Sequence, residues 1–250
     1  MRLALPLSPL DKYLLCSAID QGESVLKNWF KWKKQGDFNH INTASYRLLP
    51  MVYQNLLQHH IKDELTNYLK GTYKRAWLEN QLLFQQILPI EKAFEAHNIA
   101  YCWLGEAALS KGLYGIECIR PIAHIVFGVS KSDRSKACSI LNKLNWERAK
   151  FFQIRNLVEQ TAMFKNNNLS VQLKWNLPQP MQLERNSKVL DIASQFTYLL
   201  KTRSSYRTIN QLVVLADLFR LTQLYPDHPH QKNRTIQYLN TLSSQVLSID

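Results

Sequence analysis

The hydrophobic period changes at residue 99, and that change commits the chain to a mixed architecture. Between residues 61 and 97, apolar side chains recur every three or four positions: Leu65, Tyr68, Leu69, Tyr73, Trp77, Leu83, Phe84, Ile87 and Leu88. That spacing keeps one face of a helix apolar. From Ile99 the pattern becomes short apolar and aromatic runs. Ile99–Leu104 ends at Gly105, and residues 122–129 are almost wholly apolar. Both predict buried strands. Leu169–Trp175 alternates, as a strand with one buried face does.

The other elements follow from the same reasoning. Residues 8–35 predict helix, with Ser8-Pro9-Leu10-Asp11 as a suitable start and a second stretch carrying Leu26, Trp29 and Phe30. Residues 41–57 predict a further helix. Pro50 and Pro89 are expected to break or bend the helices that contain them. Ala107–Leu113 predicts a short helix, and Asp133–Leu144 a longer one capped by Ser130 or Ser132. Phe151–Phe152 and Thr161–Phe164 read as strands. Asn166-Asn167-Asn168 reads as a hairpin turn, because asparagine tolerates positive φ. After Pro178 and Pro180 the chain returns to helix, with candidates at 186–201, 205–225 and 231–247. The expected fold class is α+β. A helical region (1–98) leads into a small mixed β-sheet core (99–177), and a second helical region (178–250) follows.

This length, with 46% hydrophobic and 20% charged residues in 250, suits a globular chain with a sizeable core. The apolar runs are strand-length, which excludes a transmembrane helix. The first residues are too short and too broken by Pro6 and Pro9 for a signal peptide, so a cytoplasmic protein is expected. Cys16, Cys102, Cys118 and Cys138 are scattered and form no Cys-x-x-Cys pair, which argues against a zinc site or a disulfide framework. Reduced, buried thiols are expected.

The net charge of +12 is uneven. Residues 101–175 carry 11 Lys/Arg against 5 Asp/Glu, half of the whole excess. A basic field favours anionic partners such as nucleotides, nucleic acid or acidic protein, although charge alone defines no site. Lys27, Lys31, Lys33 and Lys34 interleave with Trp29, Phe30 and Trp32. That pattern suits nucleic acid or a membrane surface, and equally an amphipathic helix with aromatics inside and lysines in solvent. The second reading is preferred. His228-Pro229-His230 has no companion ligands and reads as a loop.

Several enzyme classes are excluded by absence. There is no Gly-x-Gly-x-x-Gly, no Gly-x-x-x-x-Gly-Lys-Ser/Thr, no Gly-x-Ser-x-Gly and no His-Glu-x-x-His. What remains is an order of features: a strand ending at Gly105, a short helix, Arg120-Pro121, and an apolar strand. The stretches LLPMVYQNL, NIAYCWLGEAALSKGLYG, IRPIAHIVFGV, VQLKWNL and TINQLVVLADLFRL carry this order along most of the chain. In order and spacing the chain resembles the bacterial uncharacterised nucleotidyltransferase family, within the polymerase-β type. That family carries Lys-Gly-x-x-Leu, then Arg-Pro, then Asp-x-Asp on a strand, and later Asp-x-His-Trp.

The resemblance implies a nucleotidyltransferase-type sheet. It also implies an ancestral reaction moving a nucleoside monophosphate from a triphosphate to an acceptor. In such enzymes a glycine turn holds the phosphates and the carboxylates hold divalent metals. Residues two apart on a strand face the same side, so an Asp-x-Asp pair can share the ions.

The departures matter as much. Leu104 stands at the family's lysine, beside the retained Gly105. His124 and Val126 stand at the two aspartates, Gln172 at the third carboxylate, and Lys174 at the histidine next to the retained Trp175. Magnesium needs oxygen ligands, which these residues largely lack. The expectation is a degenerate nucleotidyltransferase that binds a nucleotide or other anion through Gly105, Arg120, His124 and Lys174. No metal, cofactor or confident catalytic residue is expected.

His124 itself admits three readings: a hydrogen-bonded core histidine, a member of a cationic pocket with Lys174 and Arg120, or a general base. Glu106 and Glu117 lie near enough in sequence to replace the lost carboxylates, but Glu106 is on the glycine turn and Glu117 on a loop, and both are expected to be solvated. Two alternatives stand beside this: an active divergent transferase using magnesium, and a basic-surface binder of nucleic acid or acidic protein. A protein partner is a further option.

Overall fold

The structure is a computed structural model of the chain, and it describes residues 7–112, 119–123, 125–149, 160–167, 169–175, 177, 213, 216, 217 and 220. The proposed strand at 151–152, the helices at 186–201 and 231–247, Glu117, Cys118, His124 and the His228–His230 loop lie outside the described residues. The chain divides into two compact units, Met1–Arg75 with Ser204–Asp250, and Ala76–Arg203.

The first unit is helical. Helix α1 (Pro9–Ile19) starts where expected, with Ser8 Oγ accepting from the Asp11 N–H at 3.1 Å. Helices α2 (Glu23–Gln35) and α3 (Thr43–Gln58) pack against it. On α2, Trp29 and Trp32 are buried and stacked at 5.5 Å, and Phe30 is exposed. The Trp29 indole donates to Asp63, and Lys33 Nζ pairs with Asp63 and Glu64 at 3.3 and 3.0 Å. The aromatic and basic interleaving therefore belongs to an amphipathic helix whose two tryptophans are inside. Val213, Ala216 and Asp217 are helical and buried.

Helix α4 (Thr66–Ala96) runs through the division between the units. Pro89 lies inside it and does not end it; Pro50 likewise lies inside α3. A proline removes one helical hydrogen bond. Buried Ile87, Ile90 and Phe94 anchor α4 on both sides of Pro89, and Leu48, Leu49 and Val52 do so around Pro50.

The second unit holds a mixed five-stranded sheet. Its strands are β1 (Tyr101–Leu104), β2 (Ile125–Val129), β3 (Glu147–Arg148), β4 (Thr161–Asn166) and β5 (Leu169–Lys174), in the order β1-β2-β5-β4-β3. Only β2 and β5 pair parallel. Helix α5 (Gly105–Gly112) follows β1 directly, and α6 (Arg134–Lys143) follows β2. The N-cap of α6 is Asp133, with no side-chain capping bond, which corrects the expected Ser130 or Ser132 cap; Ser130 Oγ accepts from the Asp133 N–H at 3.1 Å in the turn before the helix. The β4–β5 hairpin turns at Asn167, with φ of 50°.

One sheet face forms the core. Tyr101, Trp103, Phe127, Val129, Val171, Leu173 and Phe164 join one apolar cluster with Phe84, Ile87, Ile90 and Phe94 of α4 and Ala137, Ile140 and Leu141 of α6. The rings of Phe94, Tyr101 and Phe127 meet edge to face at 5.5–5.7 Å. Burying each such ring contributes about 1.5–3 kcal/mol. The Tyr101 hydroxyl donates to Glu91 and Glu95, and burial together with these carboxylates pushes its pKa upward.

Candidate functional site

Strand alternation and register assemble the site. Leu104 pairs with Val126, and Val126 pairs with Gln172. Partners in register share a face, so these three side chains form one row across β1, β2 and β5. This face is opposite to the core. The next level along pairs Cys102 with Gly128, and Gly128 with Lys174. Lys174 is therefore displaced from the row by two residues, about 7 Å along the strand.

The β1–β2 part of this face is apolar and closed. Cys102, Leu104 and Val126 form a buried cluster, with Leu177 packed against it. Gly128 is required there. A Cβ at this position would lie 2.8 Å from Cys102 Sγ and 2.9 Å from Leu177 Cδ2. Burial pushes the Cys102 thiol up to about 12, against a weaker opposing hydrogen bond with the Gly128 backbone. The β5–β4 part is different. Ser170, Gln172 and Lys174 are half-buried, Met163 is half-buried and Lys165 is exposed.

Gly105 turns the chain from β1 into α5 with φ of +61°, a conformation that favours glycine. Next to it, Glu106 is buried at 2% exposure, which corrects the expectation that it is solvated. The reason is a partner of opposite charge: Arg120 is 0% exposed, and its Nη1 lies 3.5 Å from Glu106 Oε1. Buried charges persist when they are paired and hydrogen-bonded. Glu106 Oε2 also accepts from the Ala123 N–H at 2.6 Å, and Arg120 Nη1 donates to the Pro121 carbonyl at 3.2 Å.

Asn80 of α4 completes the network. Its Nδ2 donates to the Arg120 carbonyl at 2.8 Å, and its Oδ1 accepts from the Ile122 N–H at 3.0 Å. These contacts also correct the start of the second strand. It begins at Ile125, not Ile122, because the amides of Ile122 and Ala123 donate to side chains.

Of the residues expected to act, Leu104, Val126 and Gln172 are brought into one row, and Gly105 is brought to Arg120 through Glu106. His124 lies outside the described residues. Among the described residues no group of three or more His, Cys, Asp or Glu gathers as metal ligands would. No helix among them is long and apolar enough to cross a membrane. Asn80 was not singled out by the sequence, and Glu106 was expected there to be a solvated carboxylate. Asn80 did carry a signal: it stands four before Phe84 and seven before Ile87, on the stripe that faces the core. Glu106 carried none.

The fold and the row together define an α+β protein whose mixed sheet has one face given to the core and one divided between apolar and polar residues. A family model described as uncharacterised nucleotidyltransferase matches residues 43–217, and the chain belongs to that family. No curated protein and no solved structure matches it.

Proposed function

We propose that this chain is a binding or accessory member of the nucleotidyltransferase family, taking a nucleotide or other anionic ligand without a catalytic metal. The observation that supports this best is the row Leu104–Val126–Gln172. Through the resemblance, these positions correspond to a lysine, the second aspartate and the third carboxylate. Magnesium takes several oxygen ligands in near-octahedral order. Leucine and valine offer none, they are closed in an apolar cluster, and Gln172 offers one neutral amide oxygen. These residues do not fit a magnesium site, and no reaction step is derived through one.

The other end of the row suits an anion better. Ser170 and Gln172 can donate hydrogen bonds, and Lys174 brings a positive charge two residues along β5. The excess of Lys/Arg in residues 101–175 favours the same kind of ligand. Gly105 and Lys174 are the ligand-binding residues in this reading, with His124, the residue before Ile125 in sequence, as a third. Arg120 serves through its pair with Glu106. Cys16, Cys102 and Cys138 form no disulfide, which suits a bacterial cytoplasm.

Calorimetry with ATP, with and without magnesium, tests the proposal. Affinity should be the same within about twofold in both conditions, since a metal-independent site gains nothing from the ion. Binding that requires magnesium, or release of pyrophosphate on incubation, would overturn it in favour of an active transferase. Salt-sensitive retention of nucleic acid without any ATP binding would point instead to the basic surface.

A further inference from the structure

We infer that Asn80 and Glu106 are positioning residues that hold the loop Arg120–Ala123 and so fix how the chain enters β2. The inference deepens the binding reading above and rests on it for its affinity arm alone.

Among the described residues before β2, Arg120–Ala123 are neither helix nor strand, and Pro121 has no N–H to give to a ladder. Buried backbone groups must still find partners. Asn80 meets this need with both ends of one amide, donating to the Arg120 carbonyl at 2.8 Å and accepting from the Ile122 N–H at 3.0 Å. A carbonyl on one side and an N–H on the other permit only one orientation of that amide. Glu106 holds the next residue, accepting from the Ala123 N–H at 2.6 Å, and faces Arg120 Nη1 at 3.5 Å. One loop is thus gripped from two helices, by α4 through Asn80 and by α5 through Glu106.

Packing alone does not call for such residues. Asn80, Glu106 and Arg120 are all buried, where apolar side chains of similar volume would serve stability as well or better. What they supply is orientation. Arg120, matched to Glu106 inside the protein, acts on a ligand through the loop it belongs to rather than by direct contact.

Native-state amide exchange read by NMR tests this on the full chain, alongside ATP calorimetry. Asn80→Leu removes both bonds and should speed exchange at Ile122 by roughly tenfold or more, with Phe127 and Leu173 left within about twofold. Glu106→Ala should do the same at Ala123. Glu106→Gln keeps an oxygen for that N–H and should retain most of the protection. Asn80→Leu should also weaken ATP binding roughly tenfold, since the site's entry is no longer held.

Unchanged exchange at both loop amides would overturn the inference. So would an equal rise at Phe127 and Leu173, equal losses in Glu106→Gln and Glu106→Ala, or a loosened loop with unchanged ATP affinity. A wild-type protein that binds no ATP overturns the binding reading only; exchange at Ile122 and Ala123 then decides the clamp by itself.

Discussion

On one face of the sheet Tyr101, Trp103, Phe127, Val129, Val171 and Leu173 join a single core that continues into α4 and α6. On the other face the same strands carry Cys102, Leu104, Val126 and Gly128, then Ser170, Gln172 and Lys174. The first face is apolar from β1 to β4. The second is apolar only over β1 and β2 and turns polar at β5. The change of character falls at the boundary between β2 and β5.

Truncation on the core face should be the most costly change. Phe127 meets Phe94 and Tyr101 edge to face and is fully buried. Phe127→Ala should lower unfolding free energy by about 3–5 kcal/mol in urea titration. A loss near 1 kcal/mol would mean the core face is looser than its contacts indicate.

A carboxylate placed at each end of the Leu104–Val126–Gln172 row measures the boundary directly. Val126→Asp buries a charge among Cys102, Leu104 and Leu177. It should cost about 3 kcal/mol or raise the introduced carboxyl's pKa far enough to neutralise it. Gln172→Asp is half-buried on the strand that also carries Lys174, and should cost less than about 1 kcal/mol. Chemical denaturation at neutral pH compares them. Equal costs would erase the distinction between the two halves of the face.

Close packing on the apolar half gives a smaller effect. Gly128→Ala puts a methyl against Cys102 Sγ and Leu177 Cδ2 and should cost about 1–3 kcal/mol. Cys102→Ala in the same chain removes the nearest of three close atoms, leaving Leu177 Cδ2 at 2.9 Å and Leu104 Cδ1 at 3.2 Å. It should recover part of that loss, a coupling of about 0.5 kcal/mol or more in a double-mutant cycle. Strict additivity would show that the cluster is not tight at Gly128.

Apart from β3 (Glu147–Arg148), which carries no apolar signal, the described strands and helices were legible because their signals are local. The switch of period at residue 99, the Ser8 start and the Asn167 turn each lie within a few residues of what they determine. The row Leu104–Val126–Gln172 was legible only as three departures from a family pattern; its contiguity needed the register. The clamp around Arg120 was not legible. Asn80 and the Arg120 carbonyl are 40 residues apart, and Glu106 looks like any first-turn acid of a helix. The burial of Arg120 was hidden as well, because its partner Glu106 lies on a separate element. Pro50 and Pro89 do not end their helices, because the local rule is outweighed by buried neighbours on both sides.

Thiol reactivity probes the two faces without disturbing either, and carries the smallest expected effect. Cys102 sits in the closed half of the second face, and burial holds its thiol at about 12. At pH 8 only roughly one molecule in ten thousand carries the thiolate that reacts. Cys138 on α6 is half-buried; burial raises its pKa, and Arg148 and Arg134 draw it back. Raising pH moves both thiols toward thiolate, so the contrast should be greatest near neutrality and shrink in alkali. With iodoacetamide and peptide mass spectrometry on native protein, Cys138 should be alkylated well before Cys102. In urea the two should react at similar rates. If Cys102 reacts first in the native state, the β1–β2 half of the second face is open, and the closed apolar cluster proposed to have replaced the metal site does not exist in solution.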